Sequence, residues 1–529
     1  MSPEKDPAAT PPAKIPWLGI FSVLMGAFIS TLNGRLSTFG LADIRGAVGA
    51  GFDEGAWITT AQTCAQMFVT LVAIWLGAAF GPRRVLMGAS LWFAVISLLT
   101  PFCSTLPLLL VMQFLGGLGT GCFIPLTLGY ILQSMPPKYW AFGVALYALH
   151  LELSLNISAS VEGWYVDHLS WHWIFWQNVP LALLMSVGLR FGIAVKPIAT
   201  RPPLDGFGLL AGGGGLALIY AALDQGNRLD WLSSGLIWGL LLGGAVLLLA
   251  FLVHEARTPH PFLKLKVMFA RPLPYQFILV AFIRLTVTGV GYLIPLFLGA
   301  VRGFRALEIG DTLVWIAVPQ LLLCPLAGLM MQRSDTRLVA SIGFIFIAVA
   351  CLMVGYGMTP LWGSTQFLPS QLLQALGQSF ALSAVVFFGV LHIRPEDVIT
   401  FGGVLQTARL MGGEIGNAFV QTLARVREQV ASNQIGQHVQ AGDPAVIDRV
   451  HAYAVATTPS IDPGGAIERG QQVLGNVVRA AATTQAVMDS FVALAFLTAL
   501  ALLLVVFRRA APEGPASAPP LFPARPVVS

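Results

Sequence analysis

Charged side chains are scarce in this sequence: only 10% of its 529 residues are Asp, Glu, Lys or Arg. Soluble globular domains carry about 25% charged residues, so a chain this poor in charge does not read as a soluble protein. In place of charge it has 56% hydrophobic residues and a mean hydropathy of +0.75. Hydrophobic runs of about 20 residues, enough to cross a bilayer as a helix, recur along almost the whole chain. The sequence therefore predicts an all-α polytopic membrane protein.

Several chemical signatures are also missing. No nucleotide-binding motif occurs, since the run Gly212 to Gly215 lies in an apolar segment and is not followed by Lys-Ser or Lys-Thr. This argues against an ATP-driven pump. No metal-ligand cluster or nucleophile motif occurs, which argues against an intramembrane enzyme and predicts no cofactor. The cysteines match neither a metal site nor a disulfide framework and are predicted to be small core residues: Cys64, Cys103, Cys122, Cys324 and Cys351.

The net charge of +5 does not indicate a nucleic-acid partner, because no basic cluster with interleaved aromatic residues appears. Lys and Arg concentrate instead in alternate short loops. Cytoplasmic loops carry the excess of basic residues in membrane proteins, so both termini are predicted to be cytoplasmic. Residues 425–485 are then extracytoplasmic, and a segment of that length is translocated largely regardless of its charge.

Apolar runs near 20 residues predict about fourteen membrane spans. Their predicted bounds are 17–39, 57–80, 83–101, 107–132, 140–163, 173–195, 206–223, 235–254, 275–300, 311–331, 337–358, 362–391, 399–424 and 487–507. In the extracytoplasmic segment, Val426 to Val439 has helix-forming composition and Thr457 to Gly465 contains turn residues. A short helix, a turn and a second helix are expected there, as a docking surface or as a partly ordered linker.

One carboxylate, Glu152, lies near the middle of the apolar segment from Phe142 to Tyr165. A charge at the bilayer centre costs about 2.5 to 3.5 kcal/mol, so it seldom persists without a partner or a function. In a helix, small and polar residues share the face of Glu152, which is predicted to look into a bundle or a watery cavity. Arg35 in the first span offers a counter-ion. Alternatively, Glu152 belongs to a structural ion pair or is held neutral by burial.

Two more arginines, Arg284 and Arg409, lie inside apolar segments. Arg284 is predicted to shape a substrate cavity, because a buried cation attracts anionic groups, or alternatively to be structural. Arg409 shares a face with glycines and is predicted mainly to be a structural clamp. Three glutamines follow the i, i+3, i+7 spacing of one helix face. The other predicted cavity residues are Asn33, Gln113, Asn156, Gln371, Gln374 and Gln378.

Three stretches carry ordered motifs. Trp171 to Pro180 reads W-x-W-I-F-x-x-N-V-P and includes Asn178; Leu223 to Gly226 reads L-D-Q-G and includes Asp224. Gln406 to Gly416 contains R-x-x-G-G-x-x-G, with Arg409 and Gly413. In this order and spacing they resemble the fourteen-span drug:proton antiporters of the major facilitator superfamily, the EmrB/QacA type. A fourth stretch, Gly77 to Leu86, resembles the family's loop between spans two and three and keeps its basic pair, Arg83 and Arg84.

The resemblance implies the major facilitator fold, with two six-helix bundles and two extra helices between them. The expected divisions are a disordered cytoplasmic tail at 1–16, an N-terminal bundle at 17–195, two linker helices at 196–260, a C-terminal bundle at 261–508 that includes the extracytoplasmic segment, and a second disordered tail at 509–529. It also implies conformational or structural roles for Arg83, Arg84, Asn178, Pro180, Asp224, Arg409 and Gly413. The expected location is the bacterial cytoplasmic membrane.

The sequence departs from the family at the residues that usually couple transport to protons. Asn33 stands where the first span usually carries an aspartate, and Gln113 where the fourth usually carries an arginine. In the loop between spans two and three, the acid that in the family forms a charge relay with the basic pair is also absent, and Arg83 and Arg84 are alternatively positive-inside anchors. Because coupling needs a group that binds and releases a proton as the conformation changes, Glu152, with Arg35, becomes the leading candidate for that role.

The resulting hypothesis is a secondary transporter that exports hydrophobic or amphipathic small molecules in exchange for protons by alternating access. The resemblance further implies a periplasmic membrane-fusion adaptor and an outer-membrane channel as partners. The alternatives are a facilitator or organic-anion exporter with different coupling, and a receptor or structural membrane protein that retains the fold without transport.

Overall fold

The computed structural model describes residues 15–194, 203–258, 261, 263, 268–269, 273–394, 397–440, 442–457 and 465–507. The regular elements within these ranges are helices. Thirteen of the helices are long and apolar enough to cross a membrane. The two predicted tails, apart from residues 15 and 16, and the predicted turn at 458–464 lie outside the described residues.

The N-terminal bundle contains six membrane spans. Its helices are α1 (Trp17–Phe39), α2 (Leu41–Ala47), α3 (Phe52–Gly55), α4 (Trp57–Phe80), α5 (Pro82–Leu99), α6 (Leu106–Thr120), α7 (Phe123–Ser134), α8 (Trp140–His168), α9 (Trp173–Trp176) and α10 (Asn178–Gly192). The predicted span 107–132 is divided between α6 and α7. At this break Gly121 lies against the side chain of Val69 and the backbone of Gln66 on α4, so the missing side chain allows close approach.

Two linker helices follow, α11 (Gly206–Gly226) and α12 (Gly235–Arg257). Glycines of α11 permit close packing, since a Cβ on Gly213 would lie 2.6 Å from the carbonyl oxygen of Phe68 on α4. The outer helix, α12, exposes 57% of Leu242 and 64% each of Val246 and Leu249. Exposed apolar side chains at this density suit contact with lipid, so α12 lies at the periphery.

The C-terminal bundle contains the remaining long helices. They are α13 (Leu273–Ala300), α14 (Ala306–Arg333), α15 (Thr336–Gly357), α16 (Ser364–Val390), α17 (Val398–Gly436), α18 (Pro444–Thr457) and α19 (Ala466–Val506). The predicted span 399–424 lies in α17, which is outside the thirteen apolar candidates because charged and polar side chains interrupt it, including Arg409 and Glu414. With α17 counted, the helices correspond to the fourteen expected spans.

The extracytoplasmic segment differs from the expected separate helices. Its first part continues α17, a helix of 39 residues, and its last part begins α19, a helix of 41 residues. At 1.5 Å per residue these helices are about 58 and 62 Å long, twice the roughly 30 Å hydrocarbon core. Both are therefore longer than a single span requires, and the first part of α19 packs with α18. The span boundaries at 424 and 487 were wrong as helix ends, because a helix need not stop where its apolar stretch stops.

The two bundles contact each other along α8 and α14. At one end of this pair Gly310 lies against Ser160, and at the other Gly328 lies against Ala145. On the opposite side of the molecule, Gly402 of α17 approaches the carbonyl oxygen of Pro125 on α7. Small residues at these contacts allow the helix backbones to come close. Polar side chains at the centre, between the bundles, are consequently enclosed.

Candidate functional site

A buried ion pair joins the two bundles near the middle of the membrane. Glu152 of α8 is fully buried, and its Oε1 atom lies 3.0 Å from Nη1 of Arg284 on α13. Arg284 is 6% exposed. Glu152 lies 12 residues into α8 and Arg284 lies 11 residues into α13, so both are about 17 to 18 Å from the N-terminal ends of their helices. Two residues predicted separately, one for coupling and one for the cavity, are therefore in direct contact.

The expected pairing of Glu152 with Arg35 is not present. Arg35 Nη2 donates instead to the carbonyl oxygen of Gly291, 3.4 Å away, and its guanidinium lies 5.2 Å from the centre of the Phe39 ring. The reason is depth: Arg35 lies 18 residues into α1, about 27 Å from the N-terminal end of that helix, whereas Glu152 lies about 18 Å from the N-terminal end of α8. Arg284 lies at the same depth as Glu152 and forms the ion pair with its carboxylate.

Next to the ion pair, three amide side chains from three helices form a hydrogen-bonded cluster. Asn156 Nδ2 of α8 donates to Gln378 Oε1 of α16 at 3.1 Å and to Gln320 Oε1 of α14 at 3.3 Å. Gln320 Nε2 also donates to Gln378 Oε1 at 3.1 Å. Asn156 follows Glu152 by one helical turn, so the cluster and the ion pair share one face of α8. This cluster again connects the two bundles.

The glutamine stripe of α16 is buried as one row. Gln378 Nε2 donates to Gln374 Oε1 at 3.4 Å, and Gln374 Nε2 lies 3.5 Å from the sulfur of Cys351. Gln371 continues the row and donates to Ser370 at 3.2 Å, while its Oε1 atom has no hydrogen-bond partner among the described residues. A buried amide oxygen without a partner is unusual and indicates a position able to accept a hydrogen bond.

Arg409 on α17 is 5% exposed and makes one side-chain hydrogen bond, from Nε to Gln406 Oε1 at 2.9 Å. Within the described residues its Nη1 and the Nε of Arg284 have no hydrogen-bond acceptor. A second contact holds α17 against α13: the Thr288 hydroxyl donates to the Gly413 carbonyl at 3.0 Å. Arg409 is therefore only partly satisfied by the protein.

Predicted residues of the N-terminal bundle lie in two separate places. Asn178 Nδ2 donates to Asn33 Oδ1 at 2.7 Å, tying the start of α10, which includes Pro180, to α1. Gln113 on α6 is 4% exposed, and its Nε2 has no partner among the described residues. Neither amide contacts the ion pair in the hydrogen bonds described.

The basic pair, Arg83 and Arg84, lies at the start of α5. Arg83 Nη2 donates to the carbonyl oxygen of Arg190 at 2.7 Å, so it joins α5 to the end of α10. Arg84 lines a cavity of about 460 Å³ together with Tyr130 and Gln133. Another cavity, of about 500 Å³, lies between the end of α17, α18 and the first part of α19.

Asp224, predicted from its motif, accepts hydrogen bonds from the Thr60 hydroxyl and from Gln225 Nε2. Near it lies Glu414 of α17, a buried carboxylate that sequence reasoning missed. The signal was present, because Glu414 interrupts an apolar span in the same way as Glu152 does.

The central arrangement contains more positive than negative charge. Arg35, Arg284 and Arg409 face the region between the bundles, whereas Glu152 is the carboxylate within salt-bridge distance of one of them. A carboxylate there can exchange a proton, and the unused guanidinium N–H groups can bind an oxygen-bearing ligand.

Comparison with known proteins relates this chain to membrane transporters. The family described as Major Facilitator Superfamily matches residues 23–417. The chain is 25% identical over 448 residues to the probable multidrug resistance protein EmrY of Escherichia coli, covering 81% of this chain and 84% of the relative. It is 25% identical over 430 residues to the multidrug export protein EmrB of Haemophilus influenzae, covering 79% and 82%. Among solved structures, the human organic anion transporter MFSD10 aligns with a TM-score of 0.56 and 13% identity, over 94% of this chain and 100% of that one.

Proposed function

Because the chain belongs to the major facilitator superfamily, a family of membrane transporters, we propose that it exports small amphipathic molecules in exchange for protons. The observation that carries this proposal is the ion pair between Glu152 and Arg284, which connects the two bundles at mid-membrane depth. The names of the multidrug relatives support the substrate class. The proposed setting is the bacterial cytoplasmic membrane with both termini in the cytoplasm.

The ion pair gives the exchange a physical basis. A proton on Glu152 removes the negative charge and with it most of the attraction to Arg284. A substrate that lies against the carboxylate competes with that proton, so the two occupy the site in turn. Competition of this kind is what exchange across the membrane requires, since each ligand shifts the protein toward the conformation that it prefers. The amide cluster around Asn156 then provides neutral hydrogen-bonding groups that tolerate varied substrates.

Alternating access follows from the position of these contacts. Both the ion pair and the amide cluster cross between the bundles, so movement of one bundle against the other must break or remake them. The close contacts at Gly310 and Gly402 lie on opposite sides of the centre. Opening either side exposes the enclosed polar residues to one face of the membrane at a time.

Transport into inverted membrane vesicles tests the proton assignment, with ethidium as an amphipathic cationic probe. We expect Glu152→Gln to abolish ethidium accumulation driven by a pH gradient, a loss of at least tenfold, because glutamine cannot exchange the proton. His150→Gln is the matched control: His150 is half-buried two residues away on α8 and contacts the Leu146 carbonyl. Undiminished transport in Glu152→Gln, with normal amounts of protein, would remove Glu152 from the mechanism.

A second candidate, export of organic anions, is favoured by the two buried arginines with unused N–H groups, Arg284 and Arg409. An anion leaving a cell is driven by the membrane potential, at about 2.3 kcal/mol per charge per 100 mV, and needs no proton. The same vesicles separate the candidates when anilinonaphthalene sulfonate replaces ethidium. Transport that stops with nigericin depends on the pH gradient, whereas transport that stops with valinomycin and potassium depends on the potential.

The proposed partners are a periplasmic adaptor and an outer-membrane channel. The feature that supports them is the helical extension of α17, α18 and α19 beyond the bilayer, which presents a surface on the side from which substrate leaves. A transporter of this kind releases substrate at that surface, so a partner there would carry it onward.

A further inference from the structure

Two carboxylates that the exchange mechanism does not use, Asp224 and Glu414, lie at a junction of three helices. Asp224 is on the linker helix α11, Glu414 is on α17 of the C-terminal bundle, and α4 of the N-terminal bundle completes the junction. The Thr60 hydroxyl on α4 and the Gln225 amide hydrogen bond to Asp224. The Glu414 carboxyl interacts with the Tyr220 phenol of α11 and with Asn417.

The packing of α11 on α17 explains why the carboxylates are neighbours. Trp231 Nε1, just beyond α11, donates to the Thr422 hydroxyl at 3.1 Å, and Thr422 contacts Asn227 at 3.4 Å. The helices run parallel, so moving seven or eight residues toward the cytoplasm reaches Tyr220 on one and Glu414 on the other. Asp224 lies one turn from Tyr220 on the same helix. Both carboxylates therefore occupy the crevice between α11 and α17.

Glu414 is the independent sign that this crevice binds something. It is 3% exposed, and its Oε1 atom has no hydrogen-bond partner among the described residues. A buried carboxylate oxygen without a donor carries the full cost of desolvation while ionised. A proton on Glu414 removes that cost and makes the group a hydrogen-bond donor.

One cation, Arg228, lies near Asp224, but it is shared with the exposed carboxylate of Asp53, and no salt bridge of the described residues gives Glu414 a cation. Arg228, two residues beyond the end of α11, directs Nε to Gln225 Oε1 at 2.8 Å and Nη1 to the carboxylate of Asp53 at 2.9 Å. From α4, the Cys64 thiol donates to the Ala217 carbonyl. Tyr220 is a neutral phenol, and Arg35 directs its guanidinium toward Gly291. Two carboxylates close together in such surroundings cannot both remain ionised at moderate cost.

We propose that Asp224 and Glu414 form a second proton-binding site, distinct from Glu152, that holds one shared proton between the linker helix and the C-terminal bundle. The site rests on the proposed transport function for its role in the cycle, although not for its existence. The proton moves from water to a carboxylate oxygen of the pair and leaves by the same route, so no other reactant is needed.

The position of the site indicates that its proton comes from the extracytoplasmic side. Asp224 lies one helical turn, about 6 Å, from Arg228, whose partner Asp53 has a side chain that is 77% exposed. Water at that surface reaches the end of α11, whereas the cytoplasmic side is separated from Asp224 by most of the helix. With the proposed orientation, this is the side from which protons flow inward.

The junction also connects proton binding to movement of the bundles. Thr60 holds Asp224 to the N-terminal bundle, and Glu414 belongs to the C-terminal bundle. When both carboxylates are ionised, their repulsion favours separation of α11 from α17; a shared proton favours contact. The linker helices would then favour one arrangement of the bundles according to the external pH.

Infrared difference spectroscopy of the purified, reconstituted protein during a pH change tests the site, because a protonated carboxyl has its own C=O band. We expect wild-type protein and Glu152→Gln to show a titrating band that Glu414→Gln and Asp224→Asn both lose. Glu414→Asp should restore it, which separates a lost proton site from misfolding. Asp53→Asn, at the exposed carboxylate next to Arg228, should keep the band.

Two results would overturn the proposal. One is an unchanged titrating band in both Glu414→Gln and Asp224→Asn. The other is loss of the wild-type band on adding sodium chloride at constant pH, with potassium chloride as control, because a metal cation would then be the occupant. Neither depends on transport, so failure of the Glu152 mechanism in vesicles and failure of this site are observed separately.

Discussion

Glu152 and Arg284 depend on each other energetically as well as chemically. Both are buried, and moving an ion from water into a protein interior costs several kcal/mol before any partner is met. Their contact at 3.0 Å recovers part of this cost. Removal of one residue leaves the other as an uncompensated buried charge, whereas removal of both leaves an apolar site. The ion pair therefore adds little to the net stability of the fold. A role in function explains its presence better than a role in stability does.

A double-mutant cycle measures this dependence. We expect Glu152→Leu and Arg284→Met each to lower the free energy of unfolding by about 3 to 5 kcal/mol, and the double variant to cost much less than the sum. Unfolding in mixed micelles with increasing denaturing detergent gives the values.

The control cycle uses the more exposed pair Arg427 and Asp489, which lies between the extracytoplasmic parts of α17 and α19 at 2.6 Å. An exposed pair contributes about 0 to 1 kcal/mol, so its coupling energy should be small. Equal coupling energies in both cycles would mean that burial does not determine the strength of the central pair.

At the scale of helices, α8 carries most of the interaction between the bundles. Its glycine and alanine positions lie against α14, and its polar positions meet Arg284 and the amide cluster. One part of this face of α8 packs against α14, and another part forms hydrogen bonds. Because both parts belong to the same helix, movement at one end of α8 changes the contacts at its centre. The close contact between Gly310 of α14 and Ser160 of α8 is a place where this coupling can be tested.

We expect Gly310→Ala to destabilise the protein by about 1 to 3 kcal/mol, the cost of overpacking. Its Cβ would lie 2.5 Å from the Cα of Ser160 and 2.6 Å from its nitrogen, and backbone cannot move aside as a flexible side chain can. Gly239→Ala on α12 is the matched control, because nothing lies within 4 Å of its added Cβ. Thermal unfolding in detergent gives the comparison. Equal melting temperatures for the two variants would contradict the close contact.

The helices could be predicted from the sequence far better than their contacts could. The bounds of α1 and α4 follow directly from hydrophobic length, because lipid imposes that length on any span. The break between α6 and α7 and the extension of α17 depend on tertiary packing, which leaves no periodic signal. Glu152 was found because an intramembrane charge is costly. Its partner was assigned wrongly, because residue spacing gives depth only approximately and does not tell which helices are neighbours.

At the scale of the whole molecule, the bundles and the helical extension formed by α18 with the adjoining parts of α17 and α19 are distinct parts. The enclosed polar centre lies within the bundles, whereas α18 and the adjoining halves of α17 and α19 lie beyond the predicted spans. Arg427 and Asp489 hold α17 beside α19 where these helices leave the core. The extension can therefore be shortened beyond this pair without removing a central residue, and a short linker can join two helices that are already adjacent.

We expect replacement of residues 437–479 by a short glycine-serine linker to preserve ethidium transport in inverted vesicles to within about twofold, because the central contacts remain. In intact cells with an outer membrane, the same variant should lose most of its protection against ethidium if the extension binds an adaptor, since substrate would be released without a route onward. The growth of cells expressing wild-type or shortened protein, at matched amounts in the membrane, measures this difference. Equal protection would show that the extension is a cap and not a docking surface, whereas loss in both assays would show that the core depends on it for folding or movement.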